Sequence, residues 1–208
     1  QVINWLNGFD RETVRQQFRQ MMLGLFAKDI DTERTHWGFK EICYSRGDRV
    51  APMWQTLFPE TRFVFVARHP MDVIRSMLLS WHPQKVERLD TEELAPLVVR
   101  MAQRWDNTYS AIPLWQEHAG IHAHTVRYEN LLAAPQEIIG GVFAFLNLPT
   151  PPQALEPLGV RIEVSQSRPE AAKVENWLHT QTEAIWQVVG DTATTLGYEP
   201  LPVSRKAS

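Results

Sequence analysis

The segment Arg62-Phe-Val-Phe-Val-Ala-Arg68-His-Pro70-Met-Asp72 constrains the fold more than any other part of the chain. Phe63 to Ala67 is an uninterrupted apolar run of strand length, the pattern of a parallel strand covered on both faces, and it stops at a charge. Pro70 suits the first turn of a helix, where a missing N–H costs nothing, and Asp72 complements the positive end of the helix dipole. Arg68 is thereby placed at the carboxyl edge of a sheet, where open α/β folds hold ligands, beside a helix N-terminus that favours anions. Ser76, further along that helix, can point its hydroxyl toward the same place. An ordinary strand, turn and helix with a solvated Arg68 fits the same pattern, and no glycine-rich loop accompanies it, so the neighbouring segments decide.

Those segments alternate helical and strand patterns. Arg11 to Phe26 has helical spacing, and a short strand is expected over Thr35 to Phe39, ahead of Lys40. Thr91-Glu-Glu opens a helix running to about Trp115, with Leu94, Leu97, Val98, Met101 and Trp105 on its core face. His122 to Arg127 reads as a second strand, and Tyr128 follows it as Arg68 follows the first. Pro135 opens an amphipathic helix from Gln136 to Leu146 with a core face, and Leu178 to Leu196 reads as a last helix stopped by Gly197. The connection from Trp81 to Leu89 is the expected substrate-facing loop. At 208 residues with 44% hydrophobic content, the chain is expected to form one domain over 1–203, with a disordered tail over 204–208.

Composition removes several classes of function. A net charge of −3 gives no basic surface for nucleic acid, and a single cysteine, Cys43, excludes an internal disulfide. His118, His122 and His124 lie close together, yet Gly120 interrupts them and no fourth ligand is apparent, so no metal is expected. No segment has the roughly 20 apolar residues of a membrane span and no signal peptide is visible, so a cytoplasmic location is expected.

Three blocks of the sequence, in order, resemble the sulfotransferases, particularly the branch with the tyrosylprotein sulfotransferases and many bacterial members. They are Trp37-Gly38-Phe39-Lys40-Glu41 with Leu57-Phe58-Pro59; the Arg68-x-Pro70-x-Asp72-x-x-x-Ser76 segment; and Val126-Arg127-Tyr128-Glu129-Asn130-Leu131-Leu132 with Pro135 and Phe143-x-Phe145-Leu146-x-Leu148-Pro149. A weaker similarity runs from Trp177 to Leu196-Gly197-Tyr198. The resemblance implies an α/β fold of P-loop NTPase-like type, a three-layer sandwich with a central parallel sheet flanked by helices. It also implies transfer of a sulfuryl group from PAPS (3′-phosphoadenosine 5′-phosphosulfate) to a hydroxyl, with the bisphosphate PAP as product and no metal.

By that resemblance Arg68 and Ser76 grip the donor's 3′-phosphate, which suits a planar guanidinium and a hydroxyl. Lys40 stabilises the leaving phosphate, Tyr128 helps hold the nucleotide, and Arg168, in a basic loop ahead of Trp177, contacts the adenine or 3′-phosphate. Glu41 departs from the commonest pattern. It is either a general base or, because the adjacent lysine favours its charged form, an ion-pair partner. The family's loop for the 5′-phosphosulfate has no counterpart before Lys40, so the chain is expected either to start downstream of that loop or to have diverged from it. A nucleotide-dependent kinase of related fold and a non-catalytic nucleotide-binding or scaffold remnant are the competing readings. The motifs describe the donor and leave the acceptor open among small-molecule, carbohydrate, lipid and peptide hydroxyls.

Overall fold

The structure, a computed structural model, describes residues 8–27, 36–38, 40, 47–88, 91–117, 122–155 and 171–200. At its centre Arg62–Ala67 (β1) and His122–Arg127 (β2) pair in parallel, with Arg62 opposite His122 and Ala67 opposite Arg127. Parallel strands need a long crossover, and here it is helical. It runs through Pro70–Trp81 (α3), Pro83–Arg88 (α4), Thr91–Tyr109 (α5) and Ala111–Glu117 (α6). Ahead of β1 lie Arg11–Phe26 (α1) and Gly47–Leu57 (α2); after β2 come Tyr128–Ala133 (α7), Pro135–Phe145 (α8), Ala171–Thr180 (α9) and Thr182–Thr195 (α10).

Strand alternation sends Phe63 and Phe65 to one face of the sheet, where both meet Trp115 of α6 edge-on, at 4.5 and 5.2 Å between ring centroids. On the other face His124 stacks on Phe145 of α8, whose carbonyl accepts a hydrogen bond from Arg62. Helices therefore flank the sheet on both sides. The expectation that β1 is covered on both faces holds only for its Phe63 and Phe65 side, since Val64 and Val66 are 37% and 51% exposed. The apolar face expected on α8 is half-buried at Ile138, Ile139, Val142, Phe143 and Phe145, and none of its residues is fully buried. An apolar period reports which side of a helix seeks cover, and only a neighbouring element supplies it.

The main core lies beside the sheet, where Ile74 and Leu78 of α3, Leu94, Val98 and Trp105 of α5, and Ile185 and Val189 of α10 are buried together. The helix expected from Thr91 to Trp115 is broken at Ser110 into α5 and α6, and the last helix is broken at Gln181 into α9 and α10. At the second break the hydroxyl of Thr180 donates to the carbonyl of Trp177, the local side-chain competition that ends helices.

Gly197 stops α10 as expected. Its φ is 76°, its N–H reaches the Thr194 carbonyl, and the Tyr198 N–H reaches back to that of Ala193, the paired bonds of a Schellman cap. Asn147, at φ 58°, ends α8 in the same way. The short strand expected over Thr35 to Phe39 is not formed at His36–Gly38, the part of it within the described residues. Among the described residues no helix is long and apolar enough to cross a membrane, and no group of three or more His, Cys, Asp or Glu could hold a metal ion. The tail over 204–208 lies outside the described residues.

Candidate functional site

The carboxyl ends of β1 and β2 are adjacent, because Ala67 pairs with Arg127. Each chain then turns directly into a helix, so Arg68 and Tyr128, each the first residue past its strand, are brought together. The Arg68 guanidinium lies 4.8 Å from the centre of the Tyr128 ring. Stacking on an aromatic face holds a guanidinium plane without using its donors. Those donors are poorly occupied: one reaches Asp72 at a long 3.4 Å, and Arg68 Nε is buried with no partner among the described residues. A buried N–H with no acceptor is costly unless something arrives to accept it, and a phosphate oxygen does so with a charge-assisted bond.

Asp72 divides its charge between two arginines, since Arg75 holds its other carboxylate oxygen at 3.1 Å and also pairs with Glu175 of α9 at 3.0 Å. Arg68, Asp72 and Ser76 recur every four residues, so Asp72 and Ser76 share one face of α3, about 6 Å apart along its axis. Ser76 is half-buried on that face.

His69 forms the N-cap of α3, with Nδ1 accepting the Met71 N–H at 3.3 Å, and Pro70 takes the first helical position as expected. Its Nε2 donates to the Glu199 carbonyl at 3.0 Å, and its ring stacks on Trp186 at 5.9 Å. Glu129 bridges the turn to the C-terminal segment, accepting the His69 backbone N–H at 2.9 Å on one oxygen and the Tyr198 hydroxyl at 2.9 Å on the other. Burial, and then the bond to Glu129, push the Tyr198 hydroxyl well above the ordinary phenol range, so it stays a donor. Arg127 covers the Tyr198 ring at 4.4 Å.

Lys40 is exposed, three residues after Trp37, which is anchored edge-on against Phe58 at 6.0 Å. Glu41 and Arg168 lie outside the described residues. Of the site residues named from the sequence, Arg68 and Tyr128 are in contact, and Ser76 lies on α3, the helix that begins two residues after Arg68. The segment Trp81 to Leu89, expected as a substrate loop, is largely helical as α4 where described, and Trp81 ends α3, about 16 Å along the helix from its first residue. Sequence reasoning passed over His69, Trp105, Glu129 and Tyr198 as site components. Glu129 sits inside the third matching block and Tyr198 at the end of the weaker similarity, which was the available signal.

A solved structure titled as the sulfotransferase domain from the curacin biosynthetic pathway is similar to this fold, with a TM-score of 0.55 and 20% identity, covering 90% of this chain and 69% of that one. That likeness supports the P-loop-like α/β architecture. No curated protein matches the chain significantly. Residues 10–152, which include both strands, Arg68, Ser76 and Tyr128, match the model of the Sulfotransferase family, and to that family the chain belongs.

Proposed function

We propose that the chain binds PAPS through the carboxyl edge of β1 and β2 and serves transfer of its sulfuryl group to a hydroxyl-bearing acceptor. The observation that carries this reading is the under-occupied Arg68 guanidinium, half-buried, stacked on Tyr128 and with an orphaned buried Nε. Arg68 takes the donor's 3′-phosphate, the Ser76 hydroxyl completes its shell, and Tyr128 keeps the guanidinium plane aimed. The N-terminus of α3 adds the partial positive charge of a helix end.

In such a transfer the acceptor oxygen forms a bond to sulfur as the bond from sulfur to the leaving phosphate oxygen breaks, and the acceptor proton passes to a base. The charge that builds on the leaving phosphate needs a cation, and Lys40 is assigned to it. Glu41 is assigned to hold Lys40 by ion pairing or to act as the base, and Arg168 to cover the nucleotide. The resemblance supports the roles of Lys40 and Arg168, and the Glu41 role rests on its place beside Lys40 in the sequence.

The test is calorimetric binding of adenosine 3′,5′-bisphosphate against 5′-AMP. The wild-type chain should prefer the bisphosphate, and Arg68→Ala should lose that preference by about 10- to 100-fold, the value of a charge-assisted contact. Equal binding of the two nucleotides by the folded wild-type chain would refute the reading.

A further inference from the structure

The peptide group joining Arg68 to His69 is held from both sides by side chains distant in sequence. Its C=O accepts the Trp105 indole N–H at 3.1 Å, from α5, and its N–H donates to Glu129 at 2.9 Å, from the first turn of α7. Fixing the plane of that peptide fixes ψ of Arg68 and φ of His69, and with them the direction in which Arg68 leaves the backbone. Trp105 is 1% exposed and locked in the core, so its half of the clamp is rigid. The other half depends on a half-buried carboxylate, and that carboxylate is itself held by the hydroxyl of Tyr198.

Tyr198 is in turn secured by the Schellman cap of α10 and by Arg127 across its ring. The His69 ring is tied to the same segment through the Glu199 carbonyl. A chain of contacts thus runs from the C-terminal segment through Glu129 to the backbone that presents Arg68.

We propose that Glu129 is a positioning residue for the anion grip: braced by Tyr198, it pins the Arg68–His69 peptide in the orientation that aims the Arg68 guanidinium at the donor's 3′-phosphate. This rests on the donor-site reading above. The brace requires a hydrogen-bond partner at each end, an acceptor for the His69 N–H and a group that can bond the Tyr198 hydroxyl. Glutamine retains the first, and its amide N–H can donate to the Tyr198 oxygen once the hydroxyl turns. Alanine supplies neither.

The experiment reads the ratio of affinities for adenosine 3′,5′-bisphosphate and 5′-AMP in wild type, Glu129→Ala, Glu129→Gln and Tyr198→Phe, each checked for a cooperative melt. A merely structural role would lower melting temperature without moving the ratio. The ratio is expected to fall about tenfold in Glu129→Ala, to stay within about threefold in Glu129→Gln, and to fall about threefold in Tyr198→Phe. A folded Glu129→Ala with the wild-type ratio overturns the proposal, as does a Glu129→Gln as impaired as the alanine variant. If Glu129→Ala does not fold, Tyr198→Phe decides: a reduced ratio supports the brace and an unchanged one overturns it. A wild-type chain with no preference removes the donor-site reading and this inference together, whereas a selective wild type with equally selective variants removes this inference alone.

Discussion

The carboxyl edge of the sheet and the N-terminal helices are held by opposite means. At the edge, backbone and side chains are fixed by hydrogen bonds from far along the chain, with Glu129 and Trp105 lying 60 and 37 residues from the groups they bind. By contrast α1 buries no residue and leaves Val14, Phe18, Met21, Leu25 and Phe26 exposed. It is attached to α2 by Arg15 and Arg19, whose guanidinium groups bind the Thr56 and Leu57 carbonyls at the end of that helix, at 3.1 Å each. Cations suit a helix C-terminus, and half-buried Met22 and Leu23 add packing against Trp54, Leu57 and Phe58, but the exposed Arg15 bond contributes little. The difference teaches where precision is invested. The group assigned to the donor's 3′-phosphate stands on a rigid frame, whereas Lys40, assigned to the leaving group, follows a stretch tied down by the contact of Trp37 with Phe58.

Mutations should separate the two regions by size of effect. Trp105→Ala removes a buried ring and the bond to the Arg68 carbonyl, and should cost about 3–5 kcal/mol in urea unfolding. Gly197→Ala comes next, at about 1–2 kcal/mol. Its φ of 76° strains any L side chain, and the added Cβ would meet an Arg127 nitrogen at 3.0 Å. A loss below about 0.3 kcal/mol would show that the cap does not anchor the C-terminal segment.

The pH dependence of stability is the third test. Burial and Glu129 raise the Tyr198 hydroxyl in the folded chain above its ordinary value of 10.0, so the protonated form is the one folding favours. Its contribution is fully present below pH 10 and is lost as pH rises toward the higher folded value. Wild type should therefore lose about 1 kcal/mol more than Tyr198→Phe over the first pH unit above 10. Parallel profiles would mean that Tyr198 ionises in the folded chain as it does in the unfolded one. The smallest effect belongs to α1: Phe18, 52% exposed, should tolerate alanine within about 0.5 kcal/mol. A larger loss would show that this helix is better held than its contacts imply.

Much of this contrast was legible in the sequence, but unevenly. β1, β2 and the bounds of α1 follow from short-range pattern, as do Pro70 opening α3 and Gly197 closing α10. The meeting of Arg68 with Tyr128 follows from two strands ending side by side. The bonds of Glu129 to the His69 N–H and of Trp105 to the Arg68 carbonyl were not legible, because they join elements whose approach is set by the core and not by local spacing. Val64 and Val66 misled for a related reason: an apolar pattern states a demand for cover, which these two residues lack and the apolar face of α8 meets only in part. The breaks at Ser110 and Gln181 lie inside patterns whose helical period continues across them.

The most direct test of the anion grip is the NMR signal of the Arg68 Nε–H, a buried donor without a partner among the described residues. Titration with adenosine 3′,5′-bisphosphate should shift that signal downfield and slow its exchange as the phosphate accepts the bond, while 5′-AMP should leave it unmoved. A chain that binds the bisphosphate with the Arg68 signal unchanged would hold its ligand elsewhere, and the account of the carboxyl edge as the donor site would be wrong.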